Sequence, residues 1–271
     1  MLRSAKKIAL LVFFRLFAFE SFAFFREIRY NLFMAFLERA FGLIASFLAV
    51  TVVLTMHEFA HAYAAYRCGD PTPKWYGRLS MNPLRHFDLI GLLCFTLVGF
   101  GWAKPVPINP DNFRHYRRGL GVTASAGIVV NFLFAFLIYP LFMVAVSYVH
   151  VPFLGNFLQS LTYCLFAYSL SFCVFNLLPF YPLDGFRIVD ALSKFHGKVY
   201  RFLRKYGYYI LLFLIAESLI CRFFTDYLGA GIIGIQGVKV MGYLNILGWF
   251  MQFATQIVGW PIGALWGLIP W

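Results

Sequence analysis

The 271-residue chain is 61% hydrophobic and only 13% charged, with a formal net charge of +12. Soluble domains carry about a quarter charged residues, and a chain of this length cannot enclose so much apolar surface in a soluble core. A soluble globular protein is therefore excluded. The positive excess reads as a membrane-topology signal, and no aromatic-interleaved basic run points to a nucleic-acid partner.

In chain order, residues 1–7 are basic and lead into an apolar run at 8–25. Arg15 and Glu20 interrupt that run, and no small-residue cleavage site follows. It reads as a retained first membrane segment rather than a signal peptide, with an interfacial helix as the alternative. A membrane span needs roughly 20 mostly apolar residues. Residues 41–66 supply one, and it contains His57-Glu58-Phe59-Ala60-His61. The sixteen residues at 41–56 carry no charge. On a helix, an HExxH sequence puts two imidazoles at i and i+4 on one face, where both can reach one zinc ion, with the glutamate beside them as general base.

The apolar stretch 89–103 is 15 residues long and contains Gly91, Gly99 and Gly101. It is too short and glycine-rich for a span and predicts a re-entrant loop or membrane-embedded hairpin, packed on protein or lining a wet cavity. No Asp, Glu, Lys or Arg lies between Arg118 and Asp184. That interval holds two spans, at about 119–149 and 157–178, separated by a turn at His150, Pro152, Gly155 and Asn156. A shorter span at 208–220 has Glu217 near its end, and a last one lies within 240–260. The expectation is an all-α integral membrane protein with about six transmembrane helices and a re-entrant hairpin after the HExxH helix. Its organisation divides into an N-terminal membrane segment (1–40), a catalytic core (41–190) and C-terminal helices (191–271).

Arginine and lysine cluster in two segments, 67–118 and 187–205, whereas the turn at 150–156 has neither. Positive loops face the cytoplasm, so HExxH and Asp184 share the cytoplasmic side. The same loops attract anionic lipid head groups.

Catalytic zinc usually takes three protein ligands. His150 falls on the wrong side, and His86, His115 and His196 sit in basic loops, where interfacial residues are expected. The five cysteines (68, 94, 164, 173 and 221) form no CxxC pair and read as small buried residues. Cys68, seven residues beyond His61, is a weak third ligand. Asp184 is the better candidate. It follows Asn176-Leu177-Leu178-Pro179-Phe180-Tyr181-Pro182-Leu183 at the end of a span. The two prolines break the helix and turn the chain inward, and Gly185 permits a tight turn.

HEFAH in a membrane helix followed by NLLPFYPLDG resembles the site-2 proteases, a family of intramembrane zinc metalloproteases. The stretches Gly69-Asp70, Gly77-Arg78-Leu79-Ser80-Met81-Asn82-Pro83-Leu84-Arg85-His86 and Gly101-Trp102-Ala103-Lys104-Pro105-Val106-Pro107-Ile108-Asn109-Pro110 resemble its compact bacterial branch, which lacks PDZ and CBS domains. The resemblance covers about 41–188. It implies Zn²⁺ held by His57, His61 and Asp184, with Glu58 as catalytic base and acid. Asn176 and Pro182 match positions that hold the substrate backbone, and the segment before Ala103 matches a region that guides an unwound substrate. The implied function is hydrolysis of peptide bonds in or near transmembrane segments of membrane proteins, in a bacterial cell membrane. Ile128, Leu89 and Phe186 stand where the family often has proline, proline and glycine, which touches helix packing and not the ligands. The rivals are an inert homologue that binds membrane partners and a metal transporter. Gly229, Gly231 and Gly234 could hinge the last two spans as a gate.

Overall fold

The computed structural model describes residues 2–98, 101–151, 153–193, 196–225 and 234–269, with side chains described from residue 33 onward except at 234–238. It is helical almost throughout. The helices are α1 (Leu2–Cys68), α2 (Thr72–Trp75), α3 (Leu89–Val98), α4 (Tyr116–Tyr148), α5 (Leu154–Leu177), α6 (Asp184–Leu192), α7 (Lys198–Phe223), α8 (Gly234–Leu244) and α9 (Ile246–Trp266). The chain forms two compact units, residues 1–44 and 45–271. The first is helical along its described length.

Among the described residues, four helical segments are long and apolar enough to cross a membrane: Phe33–Cys68, Tyr116–Tyr148, Leu154–Leu177 and Lys198–Phe223. They coincide with four of the expected spans. Their outer faces carry exposed apolar residues, as on α4, where Leu133, Leu137 and Leu141 are spaced four apart for contact with lipid. Their inner faces use small residues. Ala45, Ala49, Val50 and Val53 of α1 are fully buried, and small side chains let membrane helices approach closely.

The segment 89–103 folds back on itself as expected. The ten residues of α3 span about 15 Å, half a bilayer. The chain then returns beside the helix, and Phe87 and Ala103 form an isolated antiparallel bridge. Glycine is required at both contact points. A Cβ on Gly91 would fall on the Trp102 carbonyl, and one on Gly101 would fall on the Gly91 carbonyl. Leu92, with Phe95 beside it, packs against Val50 and Leu54 of α1 and Tyr168 and Phe172 of α5, which seats the hairpin in the bundle.

The region expected to hold a last span, 240–260, is divided between α8 and α9. Asn245 breaks it: its side-chain oxygen caps α9 by accepting from the Gly248 amide at 2.7 Å. The backbone amide of Ile246 donates to Glu217 Oε1 at 3.2 Å, fixing this break against α7. Of the expected hinge glycines, Gly229 and Gly231 lie outside the described residues, and Gly234 begins α8.

At the C-terminus of α1, Gly69 has φ +113°, a left-handed backbone that ends the helix. The next residue, Asp70, is fully buried. Its carboxylate accepts from the amides of Thr72 (3.0 Å) and Asn109 (2.8 Å), from Asn112 Nδ2 (2.8 Å) and from the Thr72 hydroxyl. Burial opposes ionisation, but the hydrogen bonds from Asn112, Thr72 and Asn109 override it and hold the carboxyl below its usual range. A depressed carboxylate contributes stability that is present above its unfolded pKa and is lost as pH falls through the folded one. Asp70→Asn should therefore destabilise the protein at pH 7 by about 1–3 kcal/mol. Its deficit against wild type should narrow once pH drops below about 4. Thermal unfolding in detergent at the two pH values reads both effects.

Candidate metal centre

HEFAH lies seven residues before the end of α1, so His61 sits about 10 Å inside that end along the axis. His57 and His61 are 5% and 4% exposed. Asp184 reaches them from the first turn of α6. The chain leaves α5 at Leu177, turns through 178–183 with a cis peptide at Tyr181–Pro182, and restarts as a helix at Asp184. The prolines thus break the helix as expected. Gly185 plays a different part from the expected one. It is helical, and a Cβ there would fall on the carbonyls of Leu177 and Leu178, so its role is to let α6 dock against the end of α5.

The three candidate ligand atoms form a small triangle. His61 Nε2 is 3.0 Å from His57 Nε2 and 3.0 Å from Asp184 Oδ2, and His57 Nε2 is 3.3 Å from the same oxygen. Tetrahedral zinc with bonds of 2.0–2.1 Å holds its ligands about 3.3 Å apart, so the spacing fits. Protonation fits as well. Thr123 presents a carbonyl to His61 Nδ1 at 2.7 Å, and a carbonyl can only accept. Nδ1 therefore carries the hydrogen and Nε2 directs its lone pair to the centre. Asn131 lies 3.0 Å from His57 Nδ1, and its own Oδ1 is buried without a partner. Turning that amide end for end brings Oδ1 to Nδ1–H and gives His57 the same tautomer. Two imidazole lone pairs and a carboxylate then converge, a donor set that calls for a cation.

Asp184 has a second electrostatic support. Its place in the first turn of α6 adds the favourable end of the helix dipole. Arg187 Nη1 lies 4.0 Å from the other oxygen, Oδ1.

Glu58, half-buried beside the triad, is held by the hairpin's return strand: the Val106 amide donates to its Oε2 at 3.2 Å. Arg78 fixes that strand. Its buried guanidinium donates to the carbonyls of Arg85 (2.5 Å), Lys104 (3.2 Å) and Pro105 (3.3 Å), joining the two sides of the hairpin. Burial draws the Arg78 pKa below its usual value, and the nearby Glu58 charge opposes that shift. Asn176 lies half-buried near the end of α5 with its Nδ2 donating to the Phe172 carbonyl at 3.0 Å, and Pro182 is exposed in the turn before Asp184.

His86 departs from the interfacial reading. It is fully buried, with Nε2 2.7 Å from the Ser80 carbonyl and its own carbonyl accepting from the Lys104 amide at 3.0 Å. Among the described residues, the one group of three or more metal-capable side chains is His57, His61 and Asp184, so Cys68, His115 and His196 fall outside it. Sequence reading assigned no role to four contributors: Thr123, Asn131, Arg78 and Gly127, where a Cβ would fall against the rings of His57 and His61. Three of them, at 123, 127 and 131, form one stripe of α4 at intervals of four, which is the available signal.

The profile of peptidase family M50 matches residues 143–217. A protein of Bacillus subtilis (strain 168) named as a zinc metalloprotease, YwhC, is 38% identical over 151 residues, which is 54% of this chain and 68% of that protein. Another of that designation, Rip2 of Mycolicibacterium smegmatis (strain ATCC 700084 / mc(2)155), is 27% identical over 185 residues, 64% of this chain and 67% of its own. No solved structure matches significantly. With a buried group of three side chains that could hold a metal in a bundle of membrane-length helices, and with these relatives, the chain belongs to peptidase family M50, the site-2 zinc metalloproteases.

Proposed function

We propose that this protein hydrolyses peptide bonds in or next to transmembrane segments of membrane proteins, with His57, His61 and Asp184 holding the zinc. The observation that carries this reading is the depth of the triad, buried in the bundle about 10 Å inside the end of a membrane-length helix. When bound, zinc supplies Lewis acidity that activates water and polarises a carbonyl. Glu58 takes the proton from the attacking water and returns it to the leaving amine. The substrate helix must unwind locally, since its own hydrogen bonds shield each peptide. Asn176 has its Nδ2 committed to Phe172, which leaves Oδ1 to accept from a freed substrate amide. Pro182 borders the same approach. We assign the core to 41–190 and substrate admission to 191–271. The two basic loops support a cytoplasmic position for the site, since positive loops stay inside. A cell membrane is the setting.

Arg78 enters this scheme as a positioning residue, because it sets the strand whose Val106 amide orients Glu58. Lysine keeps the charge but cannot fork to three carbonyls. Arg78→Lys should lower kcat by up to about 10²-fold with KM and zinc content unchanged. Steady-state kinetics beside metal analysis separates this from simple unfolding.

The decisive experiment reconstitutes the protein in proteoliposomes with a single-span substrate and maps products by mass spectrometry. Cleavage within or at the edge of the span is expected, with loss of activity on chelation and recovery on adding zinc. Cleavage confined to soluble peptides, or persisting without metal, would overturn the proposal.

A further inference from the structure

Where α1 ends and α4 begins, four basic side chains face one opening. Arg67, Arg114, His115 and Arg118 line a cavity of about 370 Å³ that no carboxylate enters. Among the described residues, the ion pairs are those of His57, His61 and Arg187 with Asp184 and of His196 with Asp190. Among the described residues, none of the three guanidinium groups at 67, 114 and 118 therefore has an acidic partner within 4.0 Å. Arg67 contacts the Tyr63 hydroxyl at 3.4 Å and stacks 5.9 Å from its ring. Like charges gathered on one cavity repel unless an anion lies between them. Guanidinium forks are the side chains best suited to a phosphate group. The cavity lies at the first turn of α4, where His115, Arg118 and Gly119 line it.

A second cavity begins where this one ends. It is about 550 Å³, lies between α1 and α4, and is walled by apolar residues including Phe59, Ala60, Tyr63 and Val129. Val122 lines both cavities. Tyr63, Tyr66 and Tyr116, all exposed, stand at this level, as tyrosines do where membrane meets water. A charged chamber leading into an apolar groove matches the two halves of a phospholipid, and a free phosphate would use only the first half.

We propose that the paired cavities bind one anionic phospholipid, its phosphate among Arg67, Arg114 and Arg118 and an acyl chain along the groove between α1 and α4. The site lies against the HEFAH helix but involves none of the metal ligands, and it stands whether or not the proteolytic reading does. This is a specific site, beyond the general attraction of basic loops for an acidic membrane surface.

The test uses the full-length, zinc-loaded protein in neutral detergent. Thermal unfolding and native mass spectrometry are followed as phosphatidylglycerol, phosphatidylcholine or inorganic phosphate is added. Phosphatidylglycerol should raise the Tm and survive as a 1:1 adduct, with the other two far weaker. The double variant Arg114→Gln/Arg118→Gln should weaken that binding at least tenfold with zinc content and Tm in phosphatidylcholine unchanged. Val122→Trp, which fills the junction, should weaken it while leaving the arginines in place. Equal responses to phosphatidylcholine, full stabilisation by inorganic phosphate, or undiminished binding in both variants would overturn the proposal.

Discussion

Glu58→Gln is expected to keep zinc bound and to slow peptide cleavage by about 10²–10⁴-fold. The substitution is chosen on geometry. Glu58 Oε2 accepts from the Val106 amide at 3.2 Å, and a glutamine oxygen accepts the same bond. The hairpin strand therefore stays in place, and Arg78 keeps its three carbonyls. What is lost is the ability to take up and release a proton, since an amide does not ionise at working pH. Alanine would confuse the issue, because it frees the strand as well as removing the base. The measurement is cleavage of a reconstituted single-span substrate beside metal analysis of the same preparation. Wild-type turnover by the variant would remove Glu58 from the base role. Lost turnover with lost zinc would point instead to a structural part in the metal site.

The legible parts of this protein are those in which chemistry and spacing fall close together in the chain. HEFAH announces itself because an i, i+4 pair and its glutamate need one turn of helix. Asp184 is legible because carboxylates are scarce and two prolines mark the break that turns it inward. The hairpin at 89–103 is legible from its length and glycines. What was hidden depends on contacts across long separations. Thr123 serves His61 through a backbone carbonyl, which leaves no trace in side-chain chemistry. Arg78 looks like one more basic loop residue until its guanidinium is seen to reach carbonyls 26 and 27 positions away. His86 reads as interfacial for the same reason, since its burial comes from a fold-back that hydropathy does not encode. Asn245 breaks the expected last span because a polar cap and Glu217 of α7 meet at one point. A window average passes over such a single residue.

Gly127→Ala should abolish or severely weaken zinc binding, by about 10–100-fold at least, with the bundle still assembled. A Cβ built on Gly127 would lie 2.5 Å from His61 Nε2, 2.6 Å from His57 Cε1 and 2.7 Å from His57 Nδ1. Those distances are well inside van der Waals contact, so either the imidazoles or α4 must move. Helix α4 has little freedom, since Ala124, Ile128 and Asn131 around the site are buried. The imidazoles are tethered one turn to each side, His61 to the Thr123 carbonyl and His57 to Asn131. The stripe at 123, 127 and 131 thus works as two hydrogen-bonding posts with a gap between them, and the gap has to remain empty. Displacing either ring breaks the 3.0–3.3 Å triangle on which the ligand set depends. Gly121→Ala, six residues earlier on α4, is the control: its Cβ meets only Ala191 Cβ at 3.3 Å, which a small shift relieves. Zinc stoichiometry and the rise in Tm on adding zinc should be near wild type for Gly121→Ala and lost for Gly127→Ala, with helical circular dichroism equal in both. Wild-type zinc affinity in Gly127→Ala would mean that the metal is not held between His57 and His61 against this face of α4.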